Sequence, residues 1–101
     1  MYEFKESDWK LFRKKVPDWQ ENCMARLCDE YVELLRSSAL PSRRFWQLEK
    51  RIKRDRRKAG VIMEMSRSRM LDNFYCLLAE GTITLDDLAG FSDELREFLS
   101  P

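Results

Sequence analysis

Apolar residues recur along this chain at spacings of three and four, and no strand-pairing signal interrupts them, so the pattern predicts helices. Ser7 is a good N-cap, and Trp9, Phe12 and Val16 follow at helical spacing down to Pro17, giving a short first helix. Pro17 either kinks a longer helix or opens a new one from its first position. Asp18 and Glu21 in the following turn favour the new helix. Trp19, Cys23, Leu27, Tyr31 and Leu34-Leu35 then form one continuous stripe. A third helix is expected from Pro41 to Lys58, with Gly60 as its stop.

Residues 61–65 read as extended or as the start of helix four, with helix slightly favoured. Met70, Leu71, Phe74, Leu77 and Leu78 define the next apolar face, which Gly81 ends. Thr84 with Asp87 approximates a capping box, Ile83 with Leu88 its hydrophobic staple, and Ser92 caps a last helix carrying Leu95, Phe98 and Leu99. The expected fold is all-α, a compact bundle of five or six helices in a single domain over 1–101. Its predicted core is Trp9, Phe12, Trp19, Leu27, Tyr31, Leu35, Leu48, Ile52, Phe74, Leu77 and Leu88.

Composition supports that class. The chain has 101 residues, 44% hydrophobic and 37% charged, a balance that helices carry more easily than sandwiches or barrels. Three Gly and three Pro leave little for tight hairpins. The longest stretch without a charge, residues 73–79, is far short of the ~18 apolar residues of a membrane span. The first residues carry two acids and no apolar run behind them, so they do not read as a secretion signal. A cytoplasmic location follows as the expectation, with no membrane partner and with Cys23, Cys28 and Cys76 reduced.

Those thiols do not build a reactive centre. Cys23 and Cys28 are rotated about 140° apart on one helix, no C-x-x-C occurs, and the chain has no histidine. They are expected to be small core or boundary hydrophobes, with no metal and no cofactor. The missing histidine also removes the commonest general base. Asp86-Asp87 and Asp93-Glu94 stand where acids favour helix starts, so no catalytic residue is assigned.

Charge changes the picture more. Residues 43–58 hold nine basic and two acidic groups, a net of +7, whereas residues 1–42 net −1 and residues 59–101 net −5. On a helix, Phe45, Leu48 and Ile52 share one face and the cations spread over the other half, with Arg56 alone near the apolar stripe. Glu49 with Lys53 and Arg51 with Asp55 are expected as local pairs. That is also the appearance of a solvated bundle helix. Trp46 is the exception, since it lies within the edge of the cationic face, where its ring can stack on a base or pack beneath a neighbour under lysine stems. The candidate binding residues are therefore Arg43, Arg44, Trp46, Lys50, Lys53, Arg54, Arg57 and Lys58.

Two functions fit this segregation. One is a non-catalytic protein-interaction module that binds an acidic protein, or itself head-to-tail with the acidic C-terminal third of one copy facing the basic helix of another. The other is a nucleic-acid-binding accessory protein holding phosphates through residues 43–58. A helix-turn-helix across Gly81 is disfavoured, because its recognition helix would present Asp86 and Asp87 to the phosphates.

The segments 4–15, 45–53, 65–70, 83–88 and 91–95 give the chain a resemblance to a group of short uncharacterised Firmicutes proteins often labelled multidrug transporters. The resemblance implies no catalytic or binding residue. The transporter label conflicts with the absence of any spanning segment and is rejected on that ground.

Overall fold

The computed structural model describes residues 2–101, and the elements it contains are helical: α1 (Glu6–Arg36), α2 (Pro41–Asp55), α3 (Met70–Ala79) and α4 (Asp93–Leu99). Short 3-10 helices at Arg67–Arg69 and Leu85–Leu88 complete it, and no strand occurs among the described residues. The all-α class holds, with four α-helices among the described residues in place of the five or six expected.

The shortfall in number begins at Pro17, which lies inside α1 and does not open a second helix. A mid-helix proline removes one backbone bond and crowds the preceding turn. Here it is on the exposed side, while Phe12, Val16, Trp19 and Cys23 continue one buried stripe straight through it. Tertiary packing on that stripe outweighs the local preference. Ser7 is likewise inside α1, whose N-cap is Lys5, and the first turn is stabilised by Glu6 and Asp8.

Asp8 has a second task. It is buried, accepts from the Tyr2 hydroxyl at 2.8 Å, and accepts from the Ser92 backbone N–H at 2.8 Å and its hydroxyl at 2.6 Å. Ser92 Oγ in turn accepts from Leu95 N–H at 3.2 Å, so the cap of α4 and its tie to α1 are one hydrogen-bonded unit. Burial pushes the Tyr2 hydroxyl up to about 12, with the Lys5 backbone opposing and Asp8 adding to the shift.

The core lies along the N-terminal part of α1. Phe12 stacks tilted on Phe74 at 4.6 Å between centroids, Phe74 meets Phe91 edge-on at 5.3 Å, and Met70, Leu77, Ile83, Leu88 and Leu95 close around them. The Thr84–Asp87 capping box forms, and Ile83 and Leu88 are both buried as its staple requires. Gly81 ends the α3 turn with φ 77°, a left-handed conformation that only glycine adopts without strain.

Other expectations are corrected. Residues 61–65 are not helical, and Arg67–Arg69 precedes α3 as a single tight turn. The third predicted helix ends at Asp55, short of Lys58, and Gly60 is not its left-handed stop. Gly60 instead lets the backbone approach α1, since a Cβ there would meet Cys23 Sγ at 2.4 Å. Of the predicted core, Leu35 and Ile52 are exposed, and Tyr31 and Leu48 are only half-buried. Cys23 is buried, but Cys28 and Cys76 are exposed. The reason is common to these residues of the α1 C-terminal half and α2: no third helix among the described residues covers that pair. They form an arm projecting from the core, and the molecule measures 53 × 23 × 23 Å.

Candidate functional site: the projecting helical arm

The arm exists because α1 continues well past the core and the chain then turns back at Ser37–Leu40, with Pro41 preorganised for the first turn of α2. Three contacts pin the two helices. Arg44 Nη1 donates to the Leu35 carbonyl at 2.5 Å, Arg51 Nη2 donates to Glu30 Oε1 at 2.8 Å, and the Tyr31 hydroxyl donates to Asp55 Oδ2 at 2.6 Å. Arg51 also lies 5.5 Å over the Tyr31 ring. The arm's base is fastened to the core where Gln20 donates to the Ala59 carbonyl at 3.0 Å and Glu80 accepts from the backbone N–H groups of Ala59 and Gly60.

Asp55 is buried inside the most basic part of the chain. Its burial raises the carboxyl's pKa, but the Tyr31 hydroxyl, the Arg54 guanidinium and the Lys58 ammonium together overcome this and hold it below the usual carboxylate range. Tyr31 responds in the opposite sense: burial, with Asp55 beside it, pushes its hydroxyl up to about 12. Arg51 therefore pairs with Glu30 and not with Asp55 as the spacing suggests, while the expected Glu49–Lys53 pair forms at 2.7 Å.

These bonds sort the candidate binding residues. Arg44 is turned to the Leu35 carbonyl, Lys53 to Glu49, and Arg54 and Lys58 to Asp55, so these four already have partners within the chain, although Lys53 and Arg54 remain exposed. Arg43, Lys50 and Arg57 make no ion pair among the described residues and are exposed. Arg43, Trp46 and Lys50 come together, lining a shallow depression with Leu40, Ser42 and Gln47. Arg57 lies in the turn beyond α2. Trp46 does not pack beneath a neighbouring helix. It is 62% exposed and meets Phe45, equally exposed, edge-on at 4.9 Å.

A second surface was hidden in the sequence. Phe45, Leu48 and Ile52 of α2 face outward beside Met24, Leu27, Cys28 and Tyr31 of α1, and two adjoining apolar depressions share Ile52 and Arg56. The positions 24, 28, 31 and 35, and 45, 48 and 52, follow the alternating spacing of helices that pack on other helices. That periodicity signals an apolar face, and it does not say whether this chain covers it.

The arrangement offers cations, an exposed indole and an apolar groove, which suit association. No group of three or more Cys, Asp or Glu side chains placed to hold a metal ion occurs among the described residues. Nor is any helix among them long and apolar enough to cross a membrane. Comparison with known protein families, curated proteins and solved structures finds no match for the chain.

Proposed function

We propose that the protein is a non-catalytic interaction module that presents the α1–α2 arm to an acidic protein surface. One observation carries this reading: the acidic C-terminal segment does not cover the cations of α2. The α4 end of the segment that nets −5 is tied to the beginning of α1, through Asp8 with Ser92 and Lys5 with Glu94. The basic helix is tied to the far end of α1, through Glu30, Tyr31 and Leu35. From Asp8 to Leu35 a helix rises about 40 Å, several Debye lengths at physiological salt, so the acids of α4 leave the cations at the start of α2 unneutralised, while Glu80 of the same segment reaches Ala59 and Gly60 just past its end. A long-range field of this kind steers an oppositely charged partner and sets its orientation.

The exposed Trp46 ring between Arg43 and Lys50 favours a second reading, in which the same depression holds phosphates and stacks an unpaired base. Fluorescence anisotropy separates the two with a poly-glutamate peptide, a duplex DNA and a single-stranded oligonucleotide as probes. For an acidic protein partner, the peptide binds, its affinity falls with salt, and Arg43→Gln with Lys50→Gln and Arg57→Gln reduces it at least about tenfold. For nucleic acid, the oligonucleotides bind more tightly than the peptide and Trp46→Ala weakens the single strand most. A wild-type protein that binds none of the probes at low salt overturns both.

A further inference from the structure

The apolar groove of the arm lies beside the cationic depression and calls for a different occupant. We infer that the groove is covered by a second copy of this chain, two arms packing face to face as a four-helix bundle. The inference deepens the reading of the arm as an interaction surface, and rests on it only in assigning the arm a docking role.

Two packed helices bury one side of each and leave an apolar seam, and pairing two such layers is the standard way to close it. Here the seam is exposed on both helices: Phe45 is 62% exposed, Ile52 44% and Leu35 43%. Charge selects which helices meet. α2 belongs to the +7 segment, whereas residues 21–36 of α1 hold four acidic and two basic groups, a net of −2. A two-fold axis across the helices would set α2 against α2 and oppose like charges. An axis parallel to the helices sets α2 of each copy against α1 of the other, and every neighbouring pair is then antiparallel and of opposite charge.

The seam carries a specific pair for that second arrangement. Arg56 closes the groove beside Met24, and Glu21 lies one turn earlier on the same side of α1, since 21, 24, 28, 31 and 35 continue one spacing. An axis parallel to the helices preserves height along the arm. Glu21 of one copy therefore stands within about one turn of Arg56 of the other, and symmetry repeats the contact. Glu49, already held by Lys53, is the acid on the basic side of the seam.

The face is small. Fifteen residues of α2 make a strip about 22 Å long, and two helix diameters make it about 20 Å wide, roughly 450 Å² per copy in projection. Specific interfaces commonly use about 800 Å² per partner, so the dimer is weak and concentration-dependent.

Sedimentation equilibrium between about 5 and 500 μM tests this, a range that brackets a micromolar Kd. The wild type should rise from its chain mass of 12.2 kDa towards twice that value. Phe45→Glu and Ile52→Glu should each hold the protein at the chain mass with unchanged helical ellipticity, because both side chains are already exposed. Glu21→Arg should weaken the dimer at least about tenfold, and adding Arg56→Glu should restore it, a rescue that a merely structural role for either residue does not produce. A wild type that stays at its chain mass throughout leaves the groove to a foreign helix and overturns the dimer, while peptide binding at the cationic depression would still stand. A dimer indifferent to Phe45→Glu, Ile52→Glu and the charge exchange overturns it equally.

Discussion

Replacing Gly60 by Ala sets two physical effects of opposite sign against each other. Gly60 does not adopt a positive φ, unlike Gly81 and Gly90, so alanine can take up its backbone conformation. On that ground alone the substitution stabilises by about 0.4–1 kcal/mol, by narrowing the unfolded ensemble. Against it stands the packing of the loop on α1. The added Cβ would lie 2.4 Å from Cys23 Sγ, 2.7 Å from Thr82 Oγ1 and 2.9 Å from Cys23 Cβ.

None of these atoms is the free end of a flexible chain. Cys23 is fixed on α1 between the buried Trp19 and Leu27, and the Thr82 hydroxyl sits between Cys23 Sγ at 3.6 Å and Glu80 Oε2 at 3.2 Å. Overpacking of this kind costs about 1–3 kcal/mol, and set against the entropic gain it leaves a net loss of up to about 2.6 kcal/mol, with about 1–2 kcal/mol as the central range. In a domain of about 100 residues this lowers the midpoint of thermal unfolding, followed by circular dichroism, by about 5–15 °C. Cys23→Ala removes the atom of closest contact, so the double variant should lose less than the two single variants combined, with a coupling of at least about 0.5 kcal/mol. A Gly60→Ala protein melting at or above the wild-type temperature refutes the argument, as does a loss that Cys23→Ala leaves unchanged. The site bears on the proposed function because Ala59 and Gly60 fasten the arm to the core.

The same measurement should separate the core from the arm. Phe74→Ala, at a side chain with no exposed surface, should cost about 3–5 kcal/mol, whereas Leu35→Ala, at a position predicted as core and found exposed, should change stability by no more than about 0.5 kcal/mol. Acid should loosen the arm through Asp55. Its carboxyl is held below the ordinary carboxylate value of about 3.9, so the stability it contributes is present above about pH 4 and is lost as pH falls through the folded-state value. Acid titrations of wild type and Asp55→Asn, followed by tyrosine fluorescence or ellipticity, should diverge only on that limb. Curves that run parallel to below pH 2 would refute the role assigned to Asp55.

Helix placement was legible at several positions where its cause is local, though the equally local Ser7 cap and Gly60 stop did not hold. The Thr84–Asp87 box, the Ser92 cap, the Gly81 stop and the 3.6-residue periodicity are each written within a few residues, and each is present as predicted. So was the separation of charge between residues 43–58 and 59–101, since charge needs no fold to be counted. Tertiary structure decided the rest. Pro17 stays helical because residues far along the chain, Phe74 and Phe91 among them, cover the stripe on both sides of it. Whether Leu35, Ile52 and Phe45 are core or surface depends on a third helix being present to cover them, and periodicity is silent on that. Asp55 was one acid in a basic run until the fold brought Tyr31 to it from 24 positions away. The cationic depression and the groove lie on two faces of one arm for the same reason: sequence specifies which side chains share a helix face, and only the packing of helices decides which faces remain open to a partner.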